Sequence, residues 1–464
     1  MREENSKPTR RKLAEQVGQW LAPQTERFIE ARRELNSILL WAALVGILIG
    51  VMGSLFQLIV KHLMLQRTHL AQLLSGTPIL TWLIPSLLAG LMVYVSFGLM
   101  RHFAPDTGGS GIPQIEGALD NLLPLEWQRV LPIKFFGGIL ALGAGMVAGF
   151  EGPTIQMGGG TGKMVARWGN VTAEQTRILI AAGAGAGLAT AFNAPLAGIL
   201  FVTEEVRPKF ESWTISYRAI MIASLTAAIT ARVIFGQGAF LKMTPFDAVP
   251  LESLWMFVIL GLGLGIVGYC FNLILFHTQS WFSSLQGIPY KFLGLWVGAI
   301  IGLLAWLSPN LVGSGDNAVL WAFDGNVSGH MLLLFFLARF ALTMFCYGSG
   351  AIGGIFAPML AIATMFSLGM AKELHLWFPG QLPEPAVFGV VGMGALVAAT
   401  VRAPLTAILL TMELTGNYLV VVPLLATCIT AAITAHVLGG EPIYAVLLKQ
   451  TLEKRHHVPV SDSV

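Results

Sequence analysis

The sequence predicts an all-α polytopic membrane protein made of two diverged halves with discontinuous helices. Three observations carry that prediction: an apolar composition, a self-match at a nearly constant offset, and glycine–proline breaks inside apolar segments. Of the 464 residues 55% are hydrophobic and only 11% charged, with a mean hydropathy of +0.70. A soluble domain carries about a quarter charged residues, so this chain has too little polar surface to cover itself in water. Net charge is only +3, and basic residues cluster only at the termini, which leaves nucleic-acid binding unsupported. Cys270, Cys346 and Cys428 are scattered in apolar runs, so neither a disulfide framework nor a cysteine metal site is indicated.

Taken in order, residues 1–35 form a charged tail. Leu13, Val17, Trp20 and Leu21 share one helical face there, as expected of an amphipathic helix lying on the membrane surface. No cleavable signal is expected, because the first apolar run begins well beyond the tail. Apolar runs then recur at 37–60, 79–100, 254–276, 290–307, 331–346 and 418–437. Each is long enough, or nearly so, to cross about 30 Å of hydrocarbon. Between 131 and 231 the apolar segments are shorter and interrupted by Gly and Pro, the pattern of broken helices that line an ion path. Residues 36–240 and 241–445 are read as the two membrane repeats, and 446–464 as a short tail. Lysines and arginines in both tails place both termini in the cytoplasm, implying an even number of crossings of the inner (plasma) membrane.

The repeat emerges when the chain is laid on itself. Lys134 falls on Arg339, Gly149 on Gly354 and Pro153 on Pro358, all at an offset of 205 residues. Pro195 falls on Pro404 and Glu204 on Glu413 at an offset of 209. The match leaves the relative orientation of the halves open, and places function between them. Glu205 has no repeat partner, which makes it a candidate for a function the repeat did not require. The plainer reading pairs it with Arg207 at the interface.

Three breaks carry the chemistry: GSGIP at 109–113, GFEGP at 149–153 and GGIFAP at 353–358. Small residues followed by proline let main-chain N–H groups at a helix N-terminus point into a cavity, where partial positive charge favours an anion. Chloride, which makes no directional demands, suits such a cage with one or two hydroxyls; full cations would hold it too tightly for release. Ser110 and Tyr444 offer hydroxyls, although a serine also caps helices and a tyrosine also sits at interfaces. Glu151 in GFEGP acts either as a cap on its own helix or as a tethered substitute for the anion. In the second case it occupies the cage when ionised and swings aside when protonated, which links proton uptake to anion entry. Glu205 would then pass protons between Glu151 and the cytoplasm.

Two local matches fail on context. Gly158–Met164 echoes a P-loop without its hydroxyl, and Gly183, Gly185 and Gly187 echo a dinucleotide fingerprint with no strand before them. Close helix packing explains these glycines better. No nucleophile–base pair and no metal-ligand spacing supports an enzyme, and no cofactor is implied.

In combination GSGIP, GxEGP, GGIFAP and the isolated Tyr444 resemble the CLC family of chloride channels and proton-coupled chloride antiporters, and closely resemble its bacterial exchangers. The resemblance covers nearly the whole chain. It implies a CLC-type fold of two inverted repeats with tilted and discontinuous helices, assembled as a homodimer in the lipid bilayer with one pathway per subunit. It implies that Ser110, Tyr444 and the N–H groups of Ile355 and Phe356 bind chloride, that Glu151 gates the anion path, and that Glu205 relays protons on the cytoplasmic side. Lys134 takes a familiar basic position, with Glu116 as its electrostatic companion. Serine at 110 favours chloride over nitrate within the family. No cytoplasmic nucleotide-binding domain is expected after Tyr444.

The resemblance therefore implies secondary active exchange of two chlorides for one proton, because gated channels of the family usually lack the internal glutamate. A proton-gated chloride channel retaining both acids is the alternative. One departure stands out: the family motif reads GREGP, whereas this chain has Phe150 before the glutamate, and weak anion binding outside the centre is expected.

Overall fold

The computed structural model describes residues 10–456, except residues 75, 207–209, 211, 212, 239, 242, 244, 245, 247, 248 and 381; for residues 10–36, 78, 213 and 456 it describes the backbone alone. The face formed by Leu13, Val17, Trp20 and Leu21 therefore lies outside the described side chains. Eighteen α-helices account for almost all of the described chain. In the first half these are α1 (Arg10–Leu73), α2 (Pro78–Phe103), α3 (Ile112–Leu119), α4 (Trp127–Gly143), α5 (Glu151–Trp168), α6 (Ala173–Phe192), α7 (Pro195–Phe201) and α8 (Trp213–Phe235). The second half continues with α9 (Leu254–Ser284), α10 (Gly287–Lys291), α11 (Leu293–Leu307), α12 (Asp316–Phe323), α13 (Gly329–Gly348), α14 (Phe356–Trp377), α15 (Pro385–Val401), α16 (Pro404–Thr415), α17 (Val421–Val437) and α18 (Ile443–His456).

Among the described residues, five stretches are long and apolar enough to cross a membrane: Ser37–Leu73, Ile79–Phe103, Thr214–Phe235, Leu251–Ser284 and Gly329–Gly348. Two of the apolar runs read from sequence are shorter as helices. The run at 290–307 divides between α10 and the 15-residue α11, and the run at 418–437 yields the 17-residue α17. At 1.5 Å per residue α11 reaches only about 22 Å, less than the hydrocarbon thickness. Conversely α8, grouped by sequence with the interrupted segments, is long enough to span. Leucines and isoleucines such as Leu91, Ile229, Leu262 and Ile433 face outward, as lipid contact requires, while the middle of the molecule is closed by α5, α6, α14 and α15.

The two halves are joined by contacts that pair repeat-equivalent residues. Gly149 and Gly354 exchange both main-chain hydrogen bonds, each at 2.8 Å, in an isolated antiparallel bridge. An antiparallel bridge between equivalent residues means that a local two-fold axis passes between them and that the halves run in opposite senses. A second pair of contacts obeys the same relation. The Glu204 carboxylate accepts from the Leu405 and Thr406 N–H groups at 3.1 and 2.7 Å, at the start of α16. The Glu413 carboxylate accepts from Leu196 and Ala197 at 3.1 and 2.8 Å, at the start of α7. Each half thus caps a helix of the other, satisfying N–H donors that α7 and α16 cannot satisfy internally.

The buried cations follow suit. Lys134 Nζ donates to the carbonyls of Thr107 and Gly109 at 2.9 and 2.8 Å. Arg339 donates to those of Asn310, Val312 and Gly313 at 2.8, 3.2 and 2.9 Å. Each holds the loop that enters a short helix, α3 or α12, through a glycine of positive φ, Gly111 at 84° and Gly315 at 114°. A side chain is strained there, so glycine is required.

The glycines that mimicked nucleotide motifs lie where α5 crosses α6. A methyl group on Gly158 would strike the Gly183 carbonyl, and one on Gly187 the Thr154 carbonyl. The same device recurs in equivalent places, with Gly46 and Gly50 of α1 against Thr226 and Thr230 of α8, and Gly261 and Gly265 of α9 against Thr430 and Thr434 of α17. Small residues let membrane helices approach to backbone contact, which replaces the hydrophobic drive that lipid does not supply.

Candidate ion site between two helix N-termini

The N-termini of α5 and α14 meet beside the Gly149–Gly354 bridge. Between them lies the side chain of Glu151, wholly buried. Its Oε1 accepts a hydrogen bond from the Phe356 N–H at 2.7 Å, with the N–H groups of Ala357 and of Glu151 itself also directed at the carboxylate. The carboxylate therefore sits in a cage of main-chain donors, the position read from sequence as that of an anion. A charge-assisted bond of this kind contributes about 1.5–3 kcal/mol. The other oxygen, Oε2, is buried without a hydrogen-bond partner among the described residues.

Glycine is needed at this meeting point because the backbones touch. A methyl group on Gly152 would lie 2.7 Å from Ser110 Cα and 2.9 Å from Gly354 Cα, and one on Gly354 would overlap the Glu151 carboxylate. Ser110 is thereby brought to the base of α5 although it belongs to the loop before α3. Ser110 is buried, and Lys134 fixes its loop by binding the carbonyl of the preceding Gly109. The lysine's two hydrogen bonds go to main-chain carbonyls, while Glu116 on α3 lies in electrostatic reach of the Tyr444 phenol.

Tyr444, near the start of α18, comes back across the molecule to the same place. Its ring stacks on Phe356 with centroids 6.2 Å apart and planes inclined by 15°. The hydroxyl is buried and has no hydrogen-bond partner among the described residues. Buried hydroxyls are almost always bonded, so a donor left open beside a cage of N–H groups marks a ligand position. Ile355 is the N-cap residue of α14 and wholly buried, so its N–H adjoins the same cage. Ser110, Glu151, Ile355, Phe356 and Tyr444 thus converge from four separate parts of the chain.

Sequence reading did not single out Tyr347. It is buried at the end of α13, its hydroxyl 3.4 Å from where a Gly109 side chain would start, and it is coupled electrostatically to both Glu151 and Tyr444. A tyrosine placed directly before Gly348-Ser349-Gly350 was the available signal. A cavity of about 360 Å³ leads to this point, walled by Gly109, Ser110, Tyr347 and Gly350 at its inner end and by Arg101 and Lys454 further out.

The adjacent acids Glu204 and Glu205 occupy a widened π-helical turn, 202–206, that extends α7. Glu204 is engaged by α16, whereas Glu205 acts electrostatically on Tyr444. Successive residues on a helix point about 100° apart, which puts the neighbouring carboxylates in different surroundings, and π-turns recur at functional sites. Arg207, the alternative partner for Glu205, is outside the described residues. Phe150 is buried and turned edge-on to Phe56, with ring centroids 6.5 Å apart, so it contributes no polar group beside Glu151.

Comparison with known proteins agrees with this geometry. The family model described as voltage gated chloride channel matches residues 92–436. The chain is 45% identical over 421 residues, 90% of each chain, to the H(+)/Cl(-) exchange transporter ClcA of Vibrio parahaemolyticus. Against the protein of that name from Vibrio cholerae it is 44% identical over 433 residues, 92% of each. The crystal structure of a slow cyanobacterial Cl-/H+ antiporter superposes with a TM-score of 0.89 at 55% identity, covering 90% of this chain and 99% of that one. A eukaryotic CLC transporter shares the fold at a TM-score of 0.76 and 20% identity, covering 90% of this chain and 74% of that one. With its inverted halves, its bridge of equivalent glycines and these matches along most of its length, the chain belongs to the CLC family of chloride channels and antiporters.

Proposed function

We propose that this chain is a secondary active antiporter that exchanges chloride for protons, two chlorides for each proton, and not an enzyme. The observation that carries the reading is the Glu151 carboxylate held at 2.7 Å by the Phe356 N–H, in the place an anion would take. Ionised, the carboxylate competes with chloride for the cage. Protonated, it loses the charge that holds it there and yields the donors to an entering ion. The ionised carboxylate and chloride are then alternatives at this point, so that proton uptake and anion entry are linked through one side chain, the requirement for coupled exchange.

Chloride would rest between the Ser110 and Tyr444 hydroxyls and the N–H groups of Ile355 and Phe356. Lys134 positions Ser110 rather than binding the ion, since two of its three donors hold the carbonyls of the loop that carries Ser110. Glu205 relays protons from the aqueous phase toward Glu151, a role favoured by its reach to Tyr444 and by the engagement of its neighbour Glu204 elsewhere. The protein works as a homodimer with one pathway in each subunit, in the inner membrane, with both termini cytoplasmic. The similarity to relatives named as H(+)/Cl(-) exchange transporters supports this reading.

The test is paired flux from purified protein in liposomes, with chloride efflux and external pH recorded together under an imposed chloride gradient. Protons driven against their own gradient, near one for every two chlorides, are expected. Chloride efflux with no proton movement would overturn exchange in favour of a proton-gated channel.

A further inference from the structure

The two-fold relation between the halves makes the two sides of the pathway comparable residue by residue, and one difference lies in the loops that lead into α5 and α14. Gly350, which lines the open cavity on the side of α18, has nothing within 4 Å of where its side chain would start. Its repeat mate Gly145, at the same offset of 205 and with the same positive φ, lies on the opposite face of the membrane, since inversion exchanges the faces. There the space is filled by α1. A methyl group on Gly145 would strike Nη1 of Arg67. Met64, one turn earlier on the same face of α1, meets Gly313, the mate of Gly109.

Arg67 is half-buried near the end of the span Ser37–Leu73. Its Nη1 donates to the Ala144 carbonyl, the one hydrogen bond it makes among the described residues. No carboxylate lies within salt-bridge distance of it among those residues. A guanidinium has five N–H donors, and a cation near the end of a membrane span that makes a single hydrogen bond keeps donors for a ligand. Gly145 in turn accepts from the Gly313 N–H at 2.9 Å, and six residues later the same loop delivers Glu151 to the cage. Position 150, directly before that glutamate, is turned into the core as Phe150 against Phe56.

From this we infer that Arg67 is the cation that draws chloride into the outer end of the pathway, serving from α1 the place where Phe150 presents no charge. The inference rests on the proposed exchange function and deepens it by assigning the outer entry step. A fixed positive charge with low-dielectric walls raises the local anion concentration about tenfold or more, an effect that added salt screens. The unbonded face of the guanidinium is free to meet a passing ion, while the bond to Ala144 keeps the charge from following it inward.

The experiment measures chloride uptake and proton movement in oriented liposomes as external chloride is varied, for the wild type, R67Q, R67K and the double variant R67Q/F150R. The expected result is an apparent KM for external chloride raised about fivefold in R67Q, with a weaker dependence on inert salt. R67K should restore most of the affinity, and F150R should restore it in the R67Q background by returning a cation to the other side of the loop. A KM and salt dependence unchanged in R67Q would overturn the inference, as would a loss in R67Q that F150R and R67K both fail to repair, which would make Arg67 a packing residue. Absence of proton-coupled exchange in the wild type would instead overturn the proposed function.

Discussion

Replacing Glu151 by glutamine keeps the shape of the side chain and removes its charge. The carboxylate now takes the Phe356 N–H at 2.7 Å in a charge-assisted hydrogen bond of about 1.5–3 kcal/mol. A neutral amide oxygen in the same place contributes about 0.5–1.5 kcal/mol, so the change weakens the hold of the side chain on the cage by roughly 1–1.5 kcal/mol. With about 1.4 kcal/mol for each factor of ten, chloride should compete some 5–10 times better for those donors in E151Q. Isothermal titration of purified protein with chloride reads that ratio directly. The same preparation in liposomes should pass chloride with no coupled proton movement, because no proton is taken up when the amide leaves. The pH dependence follows with the same sign. In the wild type, chloride affinity should rise as pH falls and the carboxylate protonates, and in E151Q it should be flat. A wild-type affinity in the variant, or proton transport that survives in it, would refute the assignment of Glu151 as the tethered competitor.

Glu205→Gln should abolish proton transport while chloride still moves, whereas Glu204→Gln should keep proton coupling and lose stability by about 1 kcal/mol through weakened capping of α16. Paired flux and thermal unfolding in detergent separate the two, and loss of coupling in Glu204→Gln alone would reverse their roles. Gly354→Ala should eject the Glu151 carboxylate or break the bridge to Gly149, at about 1–3 kcal/mol from overpacking, and should slow exchange at least tenfold; near-normal turnover would show that the bridge is not the frame of the site. Tyr444→Phe should weaken chloride binding about fivefold without loss of fold, because the stacked ring on Phe356 stays while the open hydroxyl goes. Unchanged affinity in both Tyr444→Phe and Ser110→Ala would move the ion elsewhere.

Much of the candidate site was legible before any coordinates, because its parts are backbone breaks with a sequence signature. GSGIP, GFEGP and GGIFAP are each a glycine-rich approach to a helix that opens with or near a proline, and the chemistry of a helix N-terminus follows from that alone. The membrane class followed from composition, and the repeat from matched glycines and prolines that local geometry requires. Tyr347 escaped notice because one tyrosine at the end of an apolar helix carries no local pattern. The split between Glu204 and Glu205 was half legible: the repeat partner of Glu204 was visible as Glu413, but the reciprocal caps were not. Span lengths were the least reliable reading, since apolarity over 290–307 and 418–437 does not reveal where a helix begins.

By itself the sequence determined that the chain enters a membrane, that it repeats, and that glutamates and hydroxyls stand beside broken helices. These are properties of residue type and spacing, which a linear chain carries without folding. Only the tertiary structure decided that the halves are inverted, since a self-match is blind to direction and an antiparallel bridge between Gly149 and Gly354 is not. It alone decided that the donor facing Glu151 comes from a residue 205 positions away, that Tyr444 returns from the far end of the chain to stack on Phe356, and that Arg67 fills on one face the space left open on the other. Each of these is a contact between distant segments, set by which helices can approach closely enough in lipid for their backbones to meet.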